Sequence, residues 1–310
     1  MTSKNINTSG LTKSFDDEVA INDLNFDLED GEVMGFVGPN GAGKSTTINA
    51  MLGFIEPTSG SVEMFGMDIN KEPREVKSRI GVVPEDFELY SNRTGVEHIQ
   101  MASRAKGEDV EPESIIDRVG LTEEESKRDV SGYSTGMKQR LVLGMALIGE
   151  PELLILDEPG SGLDPNGIRR LQEIINQESK NGASVFFSSH ILSNIETVCD
   201  KIVVLNKGQI KFSGSIEGLR KKVGQRKEMT VEYTGENTGT INLDSVDGIV
   251  EYEVYENGEI EIVYERQIAV ENILEKLLES NVSIQGVRTQ EQSLSELFGE
   301  ITTRQEGDSE

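Results

Sequence analysis

The chain has 310 residues, 35% of them hydrophobic, and carries 56 acidic against 30 basic residues for a formal net charge of -26. That surplus repels nucleic-acid phosphates and anionic membrane surfaces, so no nucleic-acid partner is expected. One cysteine, Cys199, and two histidines, His98 and His190, exclude an internal disulfide and a metal cage built from those residues.

The first seven residues are polar and lack the apolar core of a secretory signal. No run of eighteen apolar residues follows, so no membrane-spanning helix is expected. A reducing, cytoplasmic location is the default. The carboxylates are spread through periodic segments, as in the hydrated acidic surfaces of proteins from salt-loving organisms.

Glu32 to Val37 reads as a buried strand and Thr46 to Leu52 as the opening of a helix. Between them, Gly38-Pro39-Asn40-Gly41-Ala42-Gly43-Lys44-Ser45-Thr46 satisfies G-x-x-x-x-G-K-[ST] at Gly38, Gly43, Lys44 and Ser45. A glycine-rich turn from strand to helix aims backbone N–H groups and a helix N-terminus at one point, which a polyphosphate needs. Lys44 is expected to reach the β- and γ-phosphates of ATP, and the Ser45 hydroxyl to meet Mg²⁺. Without a second motif, the same stretch could be a turn that binds nothing.

Ile80 to Pro84 reads as the next buried strand and ends at Glu85. From about 92 to 147 the strand rhythm gives way to helical spacing, read as an insertion on a sheet core, with His98 as an ordinary residue within it. Leu153-Leu154-Ile155-Leu156 then reads as a buried strand ending in Asp157 and Glu158, two carboxylates at the end of the sheet where ligands bind. Asp157 suits Mg²⁺, and Glu158 suits a general base that orients an attacking water. Taken alone, both could instead cap the next turn, the weaker of the two readings.

Ile202 to Leu205 and Gln209 to Phe212, joined by Asn206-Lys207-Gly208, predict a closing hairpin, and Glu217 to Lys222 a short helix. To this point, near Val223, the alternation of strands and helices predicts a mostly parallel α/β sheet. Gly224 to Lys227 reads as a linker. Beyond it, 225–310 predicts a separate small α+β domain. Its strands are expected over Met229–Thr234, Gly239–Leu243, Gly248–Tyr255, Glu259–Tyr264 and Val282–Val287. Helices are expected over Val270–Leu278 and from Ser293, the latter with Leu294, Leu297, Phe298 and Ile301 on one face.

Ser131-Gly132-Tyr133-Ser134-Thr135-Gly136-Met137-Lys138-Gln139-Arg140, just ahead of the acidic strand, resembles the signature segment of ATP-binding cassette (ABC) proteins. Ser161-Gly162-Leu163-Asp164-Pro165 is similar to that family's D-loop, and Ser188-Ser189-His190 to its switch histidine. The resemblance implies a P-loop cassette over 1–223, with an antiparallel β subdomain and the helical insertion. It implies that Phe15 stacks on adenine, although a core Phe is nearly as good a reading of that residue. It also implies that Ser134 and Gly136 contact the γ-phosphate bound by a second copy, that Asp164 couples the two sites, and that His190 senses the γ-phosphate. Glu85 stands where the family usually has Gln, as a further Mg²⁺ contact.

The implied activity is ATP hydrolysis by a homodimer that drives a separate integral-membrane permease, so the chain would lie on the inner face of the membrane. The C-terminal domain and its ending, Gln292-Ser293-Leu294-Ser295-Glu296-Leu297-Phe298, resemble drug-resistance ATPases whose permeases are of the ABC-2 class, which favours export. The alternative is a soluble cassette ATPase acting on a ribosome or nucleic-acid assembly.

Overall fold

Two long, half-buried strands, β1 (Lys4–Phe15) and β2 (Glu18–Glu29), open the chain as an antiparallel pair with Thr8 opposite Phe26 and Leu11 opposite Leu24. Next come β3 (Val33–Val37), α1 (Lys44–Met51), β4 (Ser59–Met64), β5 (Met67–Asp68), α2 (Pro73–Ser78) and β6 (Ile80–Val83). The helical stretch is α3 (Gly95–Lys106), α4 (Pro112–Arg118), α5 (Glu123–Ser126) and α6 (Thr135–Leu147). After it come β7 (Leu153–Leu156), α7 (Pro165–Lys180), β8 (Ser184–Ser189), β9 (Lys201–Asn206), β10 (Gln209–Gly214) and α8 (Ile216–Val223). The chain continues with β11 (Arg226–Thr234), β12 (Ile249–Val254), β13 (Glu259–Glu265), α9 (Val270–Glu279) and β14 (Ser283–Glu291). This computed structural model describes residues 4–16, 18–191, 197–223, 226–234, 241–255, 257–265, 268, 270–280, 282–291 and 296–299.

The chain divides into two units, Met1–Ile216 and Glu217–Glu310. The first holds two sheets. One is antiparallel, in the order β2-β1-β4-β5, and belongs to the half of the chain where the alternation predicted parallel strands. The other runs β10-β9-β3-β8-β7-β6, parallel except for the β10 edge. Every residue of β3, β7 and β8 is buried, as expected of parallel strands covered on both faces. The two sheets share one core, in which the rings of Phe26, Phe36 and Phe186 lie 5.2 to 6.0 Å apart. This core fixes the strand ends that carry Gly38, Asp157 and His190.

In the insertion, Thr94 and Thr122 start α3 and α5 as capping boxes with Glu97 and Glu125. The Arg118 guanidinium of α4 meets both oxygens of the buried Glu178 carboxylate of α7, tying the insertion to the core. His98 is more than an ordinary residue. It is buried, its Nε2 accepts the Tyr90 N–H at 3.0 Å, and its Nδ1 lies 2.8 Å from the Thr94 carbonyl. It therefore pins the segment that enters the insertion.

The second unit is an antiparallel sheet, β12-β13-β11-β14. Met229, Val231, Tyr233, Ile260, Ile262 and Tyr264 form its core with Ile273 and Leu277 of α9. The strand expected over Gly239–Leu243 does not form across the described Ile241–Leu243. Ile241 and Leu243 are nevertheless buried, so the apolar alternation there reports burial without pairing. β14 extends past the expected Val287 because its ladder with β11 continues to Glu291 opposite Lys227. Of the expected last helix, 296–299 is helical; Ser293, Leu294 and Ile301 lie outside the described residues, as do Gly224 and Gln225 of the linker.

Candidate functional site

The glycine-rich loop is held by backbone from two distant segments. A Cβ at Gly38 would come within 2.4 Å of the Leu205 carbonyl oxygen. At Gly43, where φ is +105°, a Cβ would stand 2.6 Å from Ile21 Cγ2 and 2.7 Å from the Ala20 oxygen. Both positions therefore need glycine for close approach. α1 starts at Gly43 without a side-chain cap and without an acidic residue in its first turn, so its leading N–H groups are open to an anion. Lys44 is buried and donates from Nζ to the carbonyls of Gly38 at 2.8 Å and Pro39 at 3.3 Å.

β7 delivers Asp157 and Glu158 to the same place, both 7% exposed. The Glu158 carboxylate bridges two motifs. Its Oε1 lies 3.2 Å from Lys44 Nζ, an ion pair that lacks hydrogen-bond geometry, and its Oε2 lies 2.8 Å from His190 Nδ1. The His190 N–H also donates to Oε2 at 3.3 Å. Ser188, fully buried in β8, donates from Oγ to Asp157 Oδ1 at 2.6 Å and accepts the Glu158 N–H at 2.8 Å. Glu158 itself has φ +46°, in the left-handed region.

Burial raises the Asp157 carboxyl above the usual range, as does the Glu158 charge; the Ser188 and Ser45 hydroxyls and Lys44 pull it back. Partial burial raises Glu85 first, followed by repulsion from Asp157, Glu158 and Asp86. A donor set this short of positive charge fits a divalent cation, with Ser45, Asp157 and Glu85 as its holders. Among the described residues no three His, Cys, Asp or Glu side chains are grouped so as to hold a metal by themselves. That suits Mg²⁺, which takes one or two carboxylates and completes its shell with substrate phosphates and water.

A cavity of about 520 Å³ unites Asn40, Gly41, Gly43, Lys44, Ser45, Thr46, Glu85 and Glu158. It is also lined by Glu18, Val19 and Ala20 of β2 and by Lys207 and Gly208 of the β9–β10 turn, none of which the sequence motifs indicated. Their only signal was the Asn206-Lys207-Gly208 turn, and nothing local ties that turn to the loop at 38–46. Phe15 is not among the lining residues. It sits at the end of β1 with 48% of its surface exposed and the Lys13 ammonium 5.1 Å from its ring centre.

Ser134, Gly136 and Asp164 are also outside this cavity. Ser134 and Asp164 are exposed. The Ser134 hydroxyl caps α6 by accepting the Met137 N–H at 3.3 Å, and Asp164 caps α7 by accepting the Gly167 N–H at 2.8 Å. The two loops adjoin: a Cβ at Gly136 would lie 3.7 Å from Leu163 Cδ2, and one at Gly162 would lie 3.5 Å from Thr135 Cγ2. Buried Tyr133 anchors this surface by donating from its hydroxyl to the Glu125 carbonyl at 2.7 Å.

Beyond Glu85 runs an apolar groove of about 510 Å³, lined by Phe54, Val82, Pro84, Phe87, Leu89 and Met145 among others, between β6 and helices α3 and α6. Phe54 is 66% exposed there.

The family model described as "ABC transporter" matches residues 21–161. Over 299 residues the chain is 35% identical to the bacitracin transport ATP-binding protein BcrA of Bacillus licheniformis, covering 94% of this chain and 95% of that protein. It is 29% identical to the linearmycin resistance ATP-binding protein LnrL of Bacillus subtilis (strain 168), covering 96% and 98%. Among solved structures, an ATP-binding subunit of an ABC transporter superposes with a TM-score of 0.63 at 32% identity, over 70% of this chain and 92% of that one. An ATP-binding cassette in its ADP conformation gives a TM-score of 0.65 at 25% identity, over 72% and 95%. The chain belongs to the ABC transporter family as one of its ATP-binding subunits, and it is an ATPase.

Proposed function

We propose that two copies of this chain close on two molecules of Mg-ATP and thereby drive a separate ABC-2-type permease in export. The observation that carries the hydrolytic part is the Glu158 carboxylate, which spans Lys44 at 3.2 Å and His190 at 2.8 Å beside an uncapped helix start. In this reading Lys44 leaves the Gly38 carbonyl for the β- and γ-phosphates, and the N–H groups of Gly41 to Thr46 cradle the polyphosphate. Glu158 accepts a proton from the attacking water, and His190 holds that carboxylate in place and meets the γ-phosphate. Ser45, Asp157 and Glu85 would hold Mg²⁺, which would supply neutralisation of the phosphate charge. Phe15, whose ring is half exposed at the end of β1, is the adenine platform in this reading.

Ser134, Gly136 and Asp164 serve the other copy's nucleotide. The exposure of Ser134 and Asp164, and the absence of all three residues from the lining of this chain's own cavity, support that role. ATP then favours the closed pair because its γ-phosphate touches both chains, while ADP lacks that contact, so hydrolysis shifts the population towards the open pair. The apolar groove beside Glu85 suits a helix of the permease. No described helix is long and apolar enough to cross a membrane, so the chain would sit at the cytoplasmic face through that partner. The second unit has no chemical motif, and we assign it to dimer stabilisation or control of turnover.

Bacitracin and linearmycin in the relatives' names support an antibiotic as cargo. The test is recovery of the tagged chain from membranes. Copurification with a multi-span membrane protein, and increased antibiotic sensitivity in cells lacking the chain, are the expected results. Recovery with ribosomes, or without any membrane protein, would contradict the proposal.

A further inference from the structure

Resting on the hydrolytic reading above, we infer that Ser188 is a positioning residue that aligns both carboxylates of the site through one hydroxyl. Neither the family match nor the motif at Ser188-Ser189-His190 assigns it a task. Its side chain touches no part of the nucleotide cavity, yet its oxygen lies between the two acidic residues that do the chemistry. Ser188 is fully buried, so no water competes for that oxygen. Its proton goes to Asp157 Oδ1 at 2.6 Å, and its lone pair takes the Glu158 N–H at 2.8 Å.

The second bond has a conformational consequence. Among the described residues Glu158 is one of the few non-glycine residues with a positive φ, +46°. A left-handed backbone at such a residue is disfavoured and persists only where surrounding contacts hold it. The Ser188 oxygen holds the N–H side of Glu158, while His190 holds the carboxylate at Oε2. The turn after β7 therefore aims the Glu158 side chain at Lys44 rather than out along the strand. The same hydroxyl occupies Asp157 Oδ1 and so fixes the rotation of that carboxylate about its own axis.

Ser188 in β8 and His190 just after it are two residues apart, and the parallel register that places Leu156 opposite Phe187 brings them to the end of β7. A hydroxyl that serves two carboxylates sets their mutual geometry, and misplacement of a reacting group by about 1 Å can cost about 10²-fold in rate.

The test is Ser188→Ala, a change that removes one oxygen from a buried site and adds no bulk. Turnover at saturating Mg-ATP is expected to fall about tenfold or more, with affinity for a fluorescent ATP analogue within about threefold of the unaltered chain. The altered chain should keep its circular dichroism spectrum and cooperative melting. Against a Glu158→Gln background the same change should cost clearly less in single-turnover hydrolysis than in the unaltered chain, since only its action through Asp157 remains.

Three results would overturn the inference: turnover within twofold of the unaltered chain, an equal loss of affinity and turnover, or the same fold-loss in the Glu158→Gln background. Absence of ATP hydrolysis by the unaltered chain would instead overturn the hydrolytic reading, and the same assay reads that first.

Discussion

The two faces that the proposed cycle would use are built in opposite ways. On the first face Lys44, Asp157 and Glu158 are buried, Glu158 is paired with both Lys44 and the exposed His190, and strands of one core hold the set. On the face around Ser134, Gly136 and Asp164 the two polar side chains are exposed and cap helices. A charged group can be buried only with a partner, so the first face must be preassembled at folding. The second needs no such assembly and can wait for a ligand from outside. In the proposed cycle one chain would therefore carry a preassembled loop-and-carboxylate half and an exposed half that a second copy's nucleotide would complete.

That contrast predicts separable defects. Ser134→Arg places a bulky cation on the exposed face. It should cut turnover by about 10²-fold, the scale of losing one preorganised anion donor, while leaving ATP affinity of the isolated chain unchanged. Loss of ATP binding in a fluorescence titration would mean that the two faces are not separate. Gly43→Ala strikes the preassembled half instead. With φ at +105° and a Cβ 2.7 Å from the Ala20 carbonyl oxygen, it should lower stability by about 1–3 kcal/mol and abolish nucleotide binding. Urea unfolding and the same titration read both effects.

The smallest effect is electrostatic. Burial and the Glu158 charge raise the folded-state pKa of Asp157, so folding stability falls as pH rises through the interval above the ordinary aspartate value. Asp157→Asn removes that penalty and keeps an oxygen for the Ser188 and Ser45 hydroxyls. The variant should therefore melt higher than the unaltered chain at neutral pH, with the gap closing as pH is lowered, although it turns over ATP poorly. A lower melting point across the whole range would show that the buried carboxylate is stabilising.

Much of the first face was legible because its signals are local. Gly38 to Thr46 announces its own turn, β7 is an apolar run that leads into Asp157 and Glu158, and Ser188-Ser189-His190 closes β8 as a motif. Its supports were not legible, because they arrive from far along the chain. Ala20 and Leu205 brace the loop across strand crossings, and Ser188 reads as a plain serine until the β7–β8 register sets it beside Asp157. The second face was legible as a motif, yet its geometry within one chain reveals only helix caps. In the second unit, Ile241 and Leu243 show the limit of alternation: a buried apolar pair forms without a strand. Conversely, β14 runs on to Glu291 through backbone pairing where its side chains are exposed.

The central claim is that the exposed face of one chain completes the buried site of another around ATP. The most direct measurement is the solution mass of Glu158→Gln by light scattering, with and without Mg-ATP. The account predicts a dimer with Mg-ATP, a monomer with Mg-ADP, and loss of the dimer when Ser134→Arg is added. A Glu158→Gln chain that binds Mg-ATP to saturation and stays monomeric would contradict it.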